Sequence, residues 1–161
     1  MFDGVYQNPV AHMQYYAQEL KIRGIKPFLC VFDLSEFYNL AQLEKEGFVT
    51  PPYLYNLVFD IPSTLPYSEK VLDIFLSFIP KGAPWFLTRH HSKGWESFRA
   101  ALELGGHVRV GYEDGPFLAS GKRARSNAEF VEEVSKAAHT VGRKVVGPDR
   151  AREMLGLKPL R

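Results

Sequence analysis

The sequence predicts an α/β protein in which about four parallel strands alternate with helices, arranged as the C-terminal half of a (β/α)8 barrel. Three observations lead there. Short apolar runs alternate with amphipathic stretches along the whole chain. Capping and stop residues fall between them at the expected places. The length of 161 residues is well short of the ~250 residues that a complete eight-stranded barrel typically needs. Strands and helices in this rhythm build right-handed β-α-β units, hence a parallel sheet with helices outside. Four such strands leave two raw sheet edges. An open flavodoxin-like sheet is the structural alternative, although the Gly-rich first turn usual in that fold is not visible. The whole of 1–161 reads as one partial domain, without repeat, low-complexity tract or linker.

Each element has a local reason. Asn8-Pro9 places an N-cap before a first-turn proline, and Val10, Met13, Ala17 and Leu20 follow at helical spacing up to Gly24, which predicts a helix over 9–23. Phe28-Leu-Cys-Val-Phe32 is short and β-rich, a strand buried on both faces that ends at Asp33. Ser35 caps a short helix to Glu46, and 53–59 is the second strand. Ser68 caps a helix through Phe78 that Pro80 stops. The third strand is 85–88, followed by a helix over 95–104, and the fourth strand is 107–111. Ser126-Asn-Ala-Glu129 matches a capping box, with Ala128, Val131, Val134, Ala138 and Val141 as the apolar stripe of a long helix ending at Gly142. A short helix over 149–155 closes the chain.

Composition bounds the function. A hydrophobic content of 45% with 14% aromatic residues supports a sizeable core. Twenty Lys+Arg against 18 Asp+Glu give a net charge of +2, too small for a broad field that would attract nucleic acid or an anionic membrane. One cysteine, Cys30, excludes an internal disulfide and a Cys-rich zinc module, and fits a reducing compartment. With no signal peptide and no stretch near the ~18 apolar residues of a membrane span, the expectation is a cytoplasmic protein.

Chemistry concentrates after the fourth strand, because the loops at strand C-terminal ends carry the reacting groups in a parallel barrel. Residues two apart share a face, so Arg109, Gly111 and Glu113 point one way and Val108 and Val110 the other. Fully extended, Arg109 and Glu113 would lie ~13 Å apart at ~3.3 Å per residue. Joint work therefore needs the chain to curl after Gly111, which glycine permits. Charges facing a barrel interior are costly unless they pair or bind a ligand. By pattern alone this is an anion or metal site, or a buried ion pair that finishes a strand.

The strings Gly-Gly-His-Val-Arg-Val-Gly-Tyr-Glu-Asp (105–114), Ser-Asn-Ala-Glu-Phe-Val-Glu (126–132) and Ala-Arg-Glu-Met-Leu-Gly-Leu (151–157) closely resemble the C-terminal part of the beta-keto acid cleavage enzymes. Upstream, Gly-Ile-Lys-Pro (24–27) and Val-Phe-Asp (31–33) look like family landmarks in the right order. The resemblance implies a zinc-dependent TIM barrel that transfers carbons between a β-keto acid and acetyl-CoA, giving acetoacetate and a new acyl-CoA by retro-Claisen cleavage. It implies Glu113 as a metal ligand, Asp114 as the carboxylate that deprotonates the substrate, and Arg109 as the group that holds the developing anion. The family's other zinc ligands are a His-x-His pair in the N-terminal half, and no His-x-His occurs here. A Gly-x-Gly-Arg-like stretch is replaced by Arg89 to Ser92, and Cys30 stands where the family generally has a glutamate.

The remaining candidates carry plainer readings. His90 and His91 are adjacent, so they would point in opposite directions, and they read as ordinary loop histidines. Cys30 in an apolar strand reads as core. Ser126 and Asn127 at a helix N-terminus can bind a substrate carboxylate or phosphate, or simply cap the helix. The basic loop Gly121-Lys-Arg-Ala-Arg125 can meet CoA phosphates, or be solvated surface. Two function classes are consistent with these residues: a catalytic C-terminal half completed by an N-terminal half-barrel or by oligomerisation, and a non-catalytic remnant or subunit that binds acyl-CoA.

Overall fold

The computed structural model describes residues 7–62, 64–90 and 95–159. Its elements in chain order are α1 (Val10–Ile22), β1 (Phe28–Val31), α2 (Ser35–Lys45), β2 (Leu54–Phe59), α3 (Glu69–Ser77), β3 (Trp85–Arg89), α4 (Glu96–Glu103), β4 (His107–Val108), α5 (Asn127–Thr140) and α6 (Pro148–Met154). The strands form one sheet in the order β1-β2-β3-β4, and every neighbouring pair is parallel. The order has no reversal. A flavodoxin-like sheet needs one at its ligand crevice, so that alternative is not the arrangement seen. Within the described residues β1 and β4 each keep an unpaired edge.

Alternation decides the core. Leu29 and Val31 of β1, Tyr55, Leu57 and Phe59 of β2, and Trp85 and Leu87 of β3 pack with Phe37 and Leu43 of α2, Leu72 and Phe75 of α3, and Phe98 and Ala101 of α4. Right-handed crossovers onto strands laid down in sequence order put consecutive helices on the same side. The opposite face carries Phe28, Cys30, Asn56, Phe86 and His107. Phe28 and Phe86 meet edge to face at 4.9 Å, and Phe86 lies 4.9 Å from His107. A hydrogen-bonded row crosses three strands beneath them. Thr88 Oγ1 donates to Asn56 Oδ1 at 2.7 Å, and Asn56 Nδ2 lies 3.4 Å from Cys30 Sγ. A buried asparagine inside a strand is disfavoured unless its amide is satisfied, and this row satisfies it.

Four expectations are corrected. β1 alternates between exposed and buried positions, whereas β2 is buried throughout. The reason is position: β2 has strands on both sides and β1 is an edge. Cys30 is accordingly exposed on the open face rather than part of the core. Leu34 holds the N-cap position of α2 and Ser35 is the first helical residue; the side chain that caps the first turn comes from Asp33, whose Oδ1 accepts the Ser35 backbone N–H at 2.9 Å. The fourth strand pairs only at His107–Val108, with one further bond from Arg109 N–H to the Leu87 carbonyl at 3.0 Å.

The face of α5 also differs. Phe130 and Ala138 are its buried residues, and Val131 is 60% exposed. The Phe130 ring stacks on Trp95 with centroids 6.5 Å apart and meets Tyr112 edge to face at 5.4 Å. Ala138 of the expected stripe is buried, while in the first turns Phe130 rather than Val131 takes the inward position, since the larger ring fills the space beside Trp95.

Candidate active site

The loop after β4 curls as joint work requires. Asp114 N–H donates to the Gly111 carbonyl at 3.0 Å and Gly115 N–H to the same carbonyl at 3.2 Å. The turn brings Glu113 back over Arg109, whose Nη2 donates to Glu113 Oε2. The curl uses no left-handed backbone at Gly111. Asn127 stands against this turn, its Oδ1 at ordinary contact distance, 3.4 Å, from where a Cβ at Gly111 would lie.

Asn127 is the loop's main tether. Its Oδ1 accepts the Tyr112 N–H at 3.0 Å, the Tyr112 hydroxyl donates to the Ala124 carbonyl, and the Tyr112 ring rests on Phe130. The expected capping box is not formed as such. Ser126 makes no side-chain cap bond, and Glu129 accepts the Arg125 N–H at 2.7 Å instead of reaching Ser126. Arg125 also pairs with Glu129 by its side chain, so part of the basic loop is neutralised locally.

Arg109, Glu113 and Asp114 therefore meet, but in unequal settings. Asp114 is 6% exposed while the Glu113 side chain is 74% exposed, with Arg109 between them at 35%. Asp114 Oδ1 lies 3.5 Å from Arg109 Nη1 and 3.3 Å from His90 Nε2, and neither approach has hydrogen-bond geometry. Desolvation dominates and lifts the Asp114 carboxyl above the ordinary aspartate range; Arg109 and then His90 pull it back, and Glu113 pushes it further up. The apolar wall is identifiable: Trp95, Phe98, Val110, Phe117 and Phe130 surround Asp114 and Gly111 around a small void.

His90 is thus a site residue that its sequence context did not reveal. The available signal was topological, since adjacent parallel strands place their C-terminal loops side by side. His91 lies outside the described residues. A larger, open cavity of about 480 Å³ lies at the other end of the sheet, against Trp85, His107, Leu104 and Met154, away from these charges.

As a zinc site the described residues are incomplete. No group of three or more His, Cys, Asp or Glu among them is placed to hold a metal ion. Glu113 offers one carboxylate, already engaged by Arg109, against the three protein ligands usual for catalytic zinc. No helix among the described residues is long and apolar enough to cross a membrane.

The chain is 31% identical over 156 residues to the 3-keto-5-aminohexanoate cleavage enzyme of Fusobacterium nucleatum, covering 97% of this chain and 57% of that protein. It is 31% identical to the 3-oxoadipate:acetyl-CoA acetyltransferase of Cupriavidus necator, covering 95% and 55%. With the 3-dehydrocarnitine:acetyl-CoA trimethylamine transferase of Rhizobium meliloti it shares 27% identity over 96% of this chain and 51% of the relative. The chain spans a little over half the length of these curated relatives. Residues 1–157 match the family description beta-keto acid cleavage enzyme, and the chain belongs to that family.

Proposed function

We propose that this chain is the C-terminal half of a TIM barrel and supplies the proton-transfer part of a β-keto acid cleavage site. The overall reaction would convert a β-keto acid and acetyl-CoA to acetoacetate and a new acyl-CoA. One observation carries the reading: a desolvated aspartate, raised in basicity, lies beside an arginine at the C-terminal end of a parallel strand. The C2–H of a β-keto acid lies between two carbonyl groups and is acidic enough for a carboxylate whose pKa has been moved toward neutrality. Asp114 accepts that proton. Arg109, within reach of the same volume, balances the charge that moves onto the substrate oxygens.

Glu113 is assigned as one zinc ligand, and its partners must lie outside the described residues. When bound, zinc would polarise the keto carbonyl as a Lewis acid. Ser126 and Asn127 are assigned to the substrate's far end; with Asn127 Oδ1 taken by Tyr112, contact would use Nδ2. The unpaired edges of β1 and β4 suit an N-terminal half-barrel, from a longer polypeptide or another chain, or a second copy in an oligomer. A cytoplasmic setting is consistent with acetyl-CoA as co-substrate.

The test is acetoacetate formation from β-keto acids and acetyl-CoA, with zinc and an N-terminal half of a relative supplied. Turnover that requires Asp114 is expected. Undiminished turnover in Asp114→Asn would remove it from the base role. The incomplete zinc donor set among the described residues favours a second reading, a non-catalytic subunit that binds acyl-CoA, which predicts acetyl-CoA binding with no acetoacetate formed.

A further inference from the structure

A carboxylate on a loop must be held from more than one side if one oxygen is to meet one substrate proton. Arg109 cannot do this alone, because its guanidinium is shared: Nη2 is committed to Glu113 and Nη1 stands 3.5 Å from Asp114. The second side comes from β3. His90 Nε2 lies 3.3 Å from the same oxygen, Oδ1.

His90 is presented from a braced strand end. Its backbone N–H donates to the Phe59 carbonyl at 3.0 Å. Arg89, immediately before it, pairs with Asp60 Oδ2 at 2.5 Å, donates to Ser97 Oγ at 3.1 Å, and lies 4.6 Å over the Tyr67 ring. Among the described residues Asp60 is the non-glycine residue held at positive φ, at 67°, and its Oδ1 accepts the Tyr67 N–H at 2.9 Å. Left-handed backbone in a residue other than glycine is costly and persists where surrounding contacts over-determine it. The strain sits at the end of β2, beside the strand end that carries His90.

We propose that His90 is a positioning residue for Asp114, which with Arg109 clamps Oδ1 and leaves Oδ2 for the substrate's C2 proton. The clamp stands on geometry alone; the role of Oδ2 rests on the retro-Claisen reading. At 3.3 Å the contact is long and poorly aligned, as such contacts often are before substrate closes a site.

Two measurements on the full chain decide it. In the first, imidazole nitrogens are followed by NMR in 15N-labelled protein, with His90 identified by the signals lost in His90→Gln. Asp114→Asn is expected to move His90 Nε2 and leave His107 and His139 in place; an unmoved His90 signal overturns the clamp. In the second, with zinc and an N-terminal half of a relative supplied, deuterium exchange at C2 of acetoacetate is measured in D2O. His90→Ala is expected to slow exchange by about tenfold to 10²-fold with an unchanged half-saturating concentration. His90→Gln, whose amide nitrogen reaches the same position, should recover most of the rate. Equal loss in both variants, each with a dispersed backbone spectrum, overturns the positioning role. No exchange above buffer in the wild-type protein so completed overturns the retro-Claisen reading instead, and the NMR shift still decides the clamp.

Discussion

Asp33 and Asp114 both follow the C-terminal end of a parallel strand, Asp33 directly after β1 and Asp114 after the turn that follows β4, yet their carboxylates are in opposite environments. Asp33 is exposed, and its Oδ1 accepts both the backbone N–H and the hydroxyl of Ser35, at 2.9 and 2.8 Å. Those bonds, backbone first, hold its carboxyl below the ordinary aspartate range. Asp114 is buried among aromatic rings with an oxygen that accepts no hydrogen bond among the described residues, and desolvation lifts its carboxyl. The same residue type at the same kind of strand end is thus a helix cap in one case and a candidate base in the other. The difference lies in the chain beyond each strand: a serine two residues after Asp33, but a turn roofed by Trp95 and Phe130 at Asp114.

The comparison breaks most readily in turnover. Asp114→Asn should lower acetoacetate formation by about 10²–10⁴-fold, the usual contribution of a general base, while Asp33→Asn leaves the rate within a small factor; steady-state assays of the two variants side by side check this. The roof comes next. Phe130→Ala should cost about 3–5 kcal/mol in denaturant unfolding and release the 111–125 loop, seen as faster amide exchange at Tyr112. A smaller loss, about 1 kcal/mol, is expected for Asp33→Ala through the lost α2 cap, measured as a shift in urea midpoint.

The finest distinction is the sign of the pH dependence. Asp33 has a lowered folded pKa, so it contributes stability above its unfolded value that disappears as pH falls through the folded one; Asp33→Asn should therefore destabilise at neutral pH and be close to neutral in strong acid. Asp114 has a raised folded pKa, so ionisation weakens the fold as pH rises through the unfolded value toward the folded one. Asp114→Asn should raise Tm at pH 7, with the gain vanishing below the unfolded aspartate value of about 3.9. Thermal melts across pH 3–8 give both curves, and a lowered Tm for Asp114→Asn at pH 7 would mean that its contacts with Arg109 and His90 outweigh burial.

Much of the architecture was legible along the chain. Strand and helix order, the glycine at the end of α1, the Ser68 cap, which accepts the Val71 N–H at 3.2 Å, and the meeting of Arg109, Glu113 and Asp114 all depend on neighbours within a few residues. Where reading along the chain failed, a distant group had intervened. Asn127, fifteen positions after Tyr112 by their numbers in the sequence, took a loop N–H; Phe130, stacked on Trp95, took the inward place expected of Val131; and edge position exposed Cys30.

By itself the sequence determined the alternation of elements, their caps and the charges collected after β4, because each depends on local spacing or on residue type. The tertiary structure alone decided that His90 of the β3 end faces Asp114, and which carboxylate is dry. Both are set by the parallel pairing of β3 with β4 and by rings brought from α4 and α5, contacts between segments far apart in the chain that no local pattern encodes.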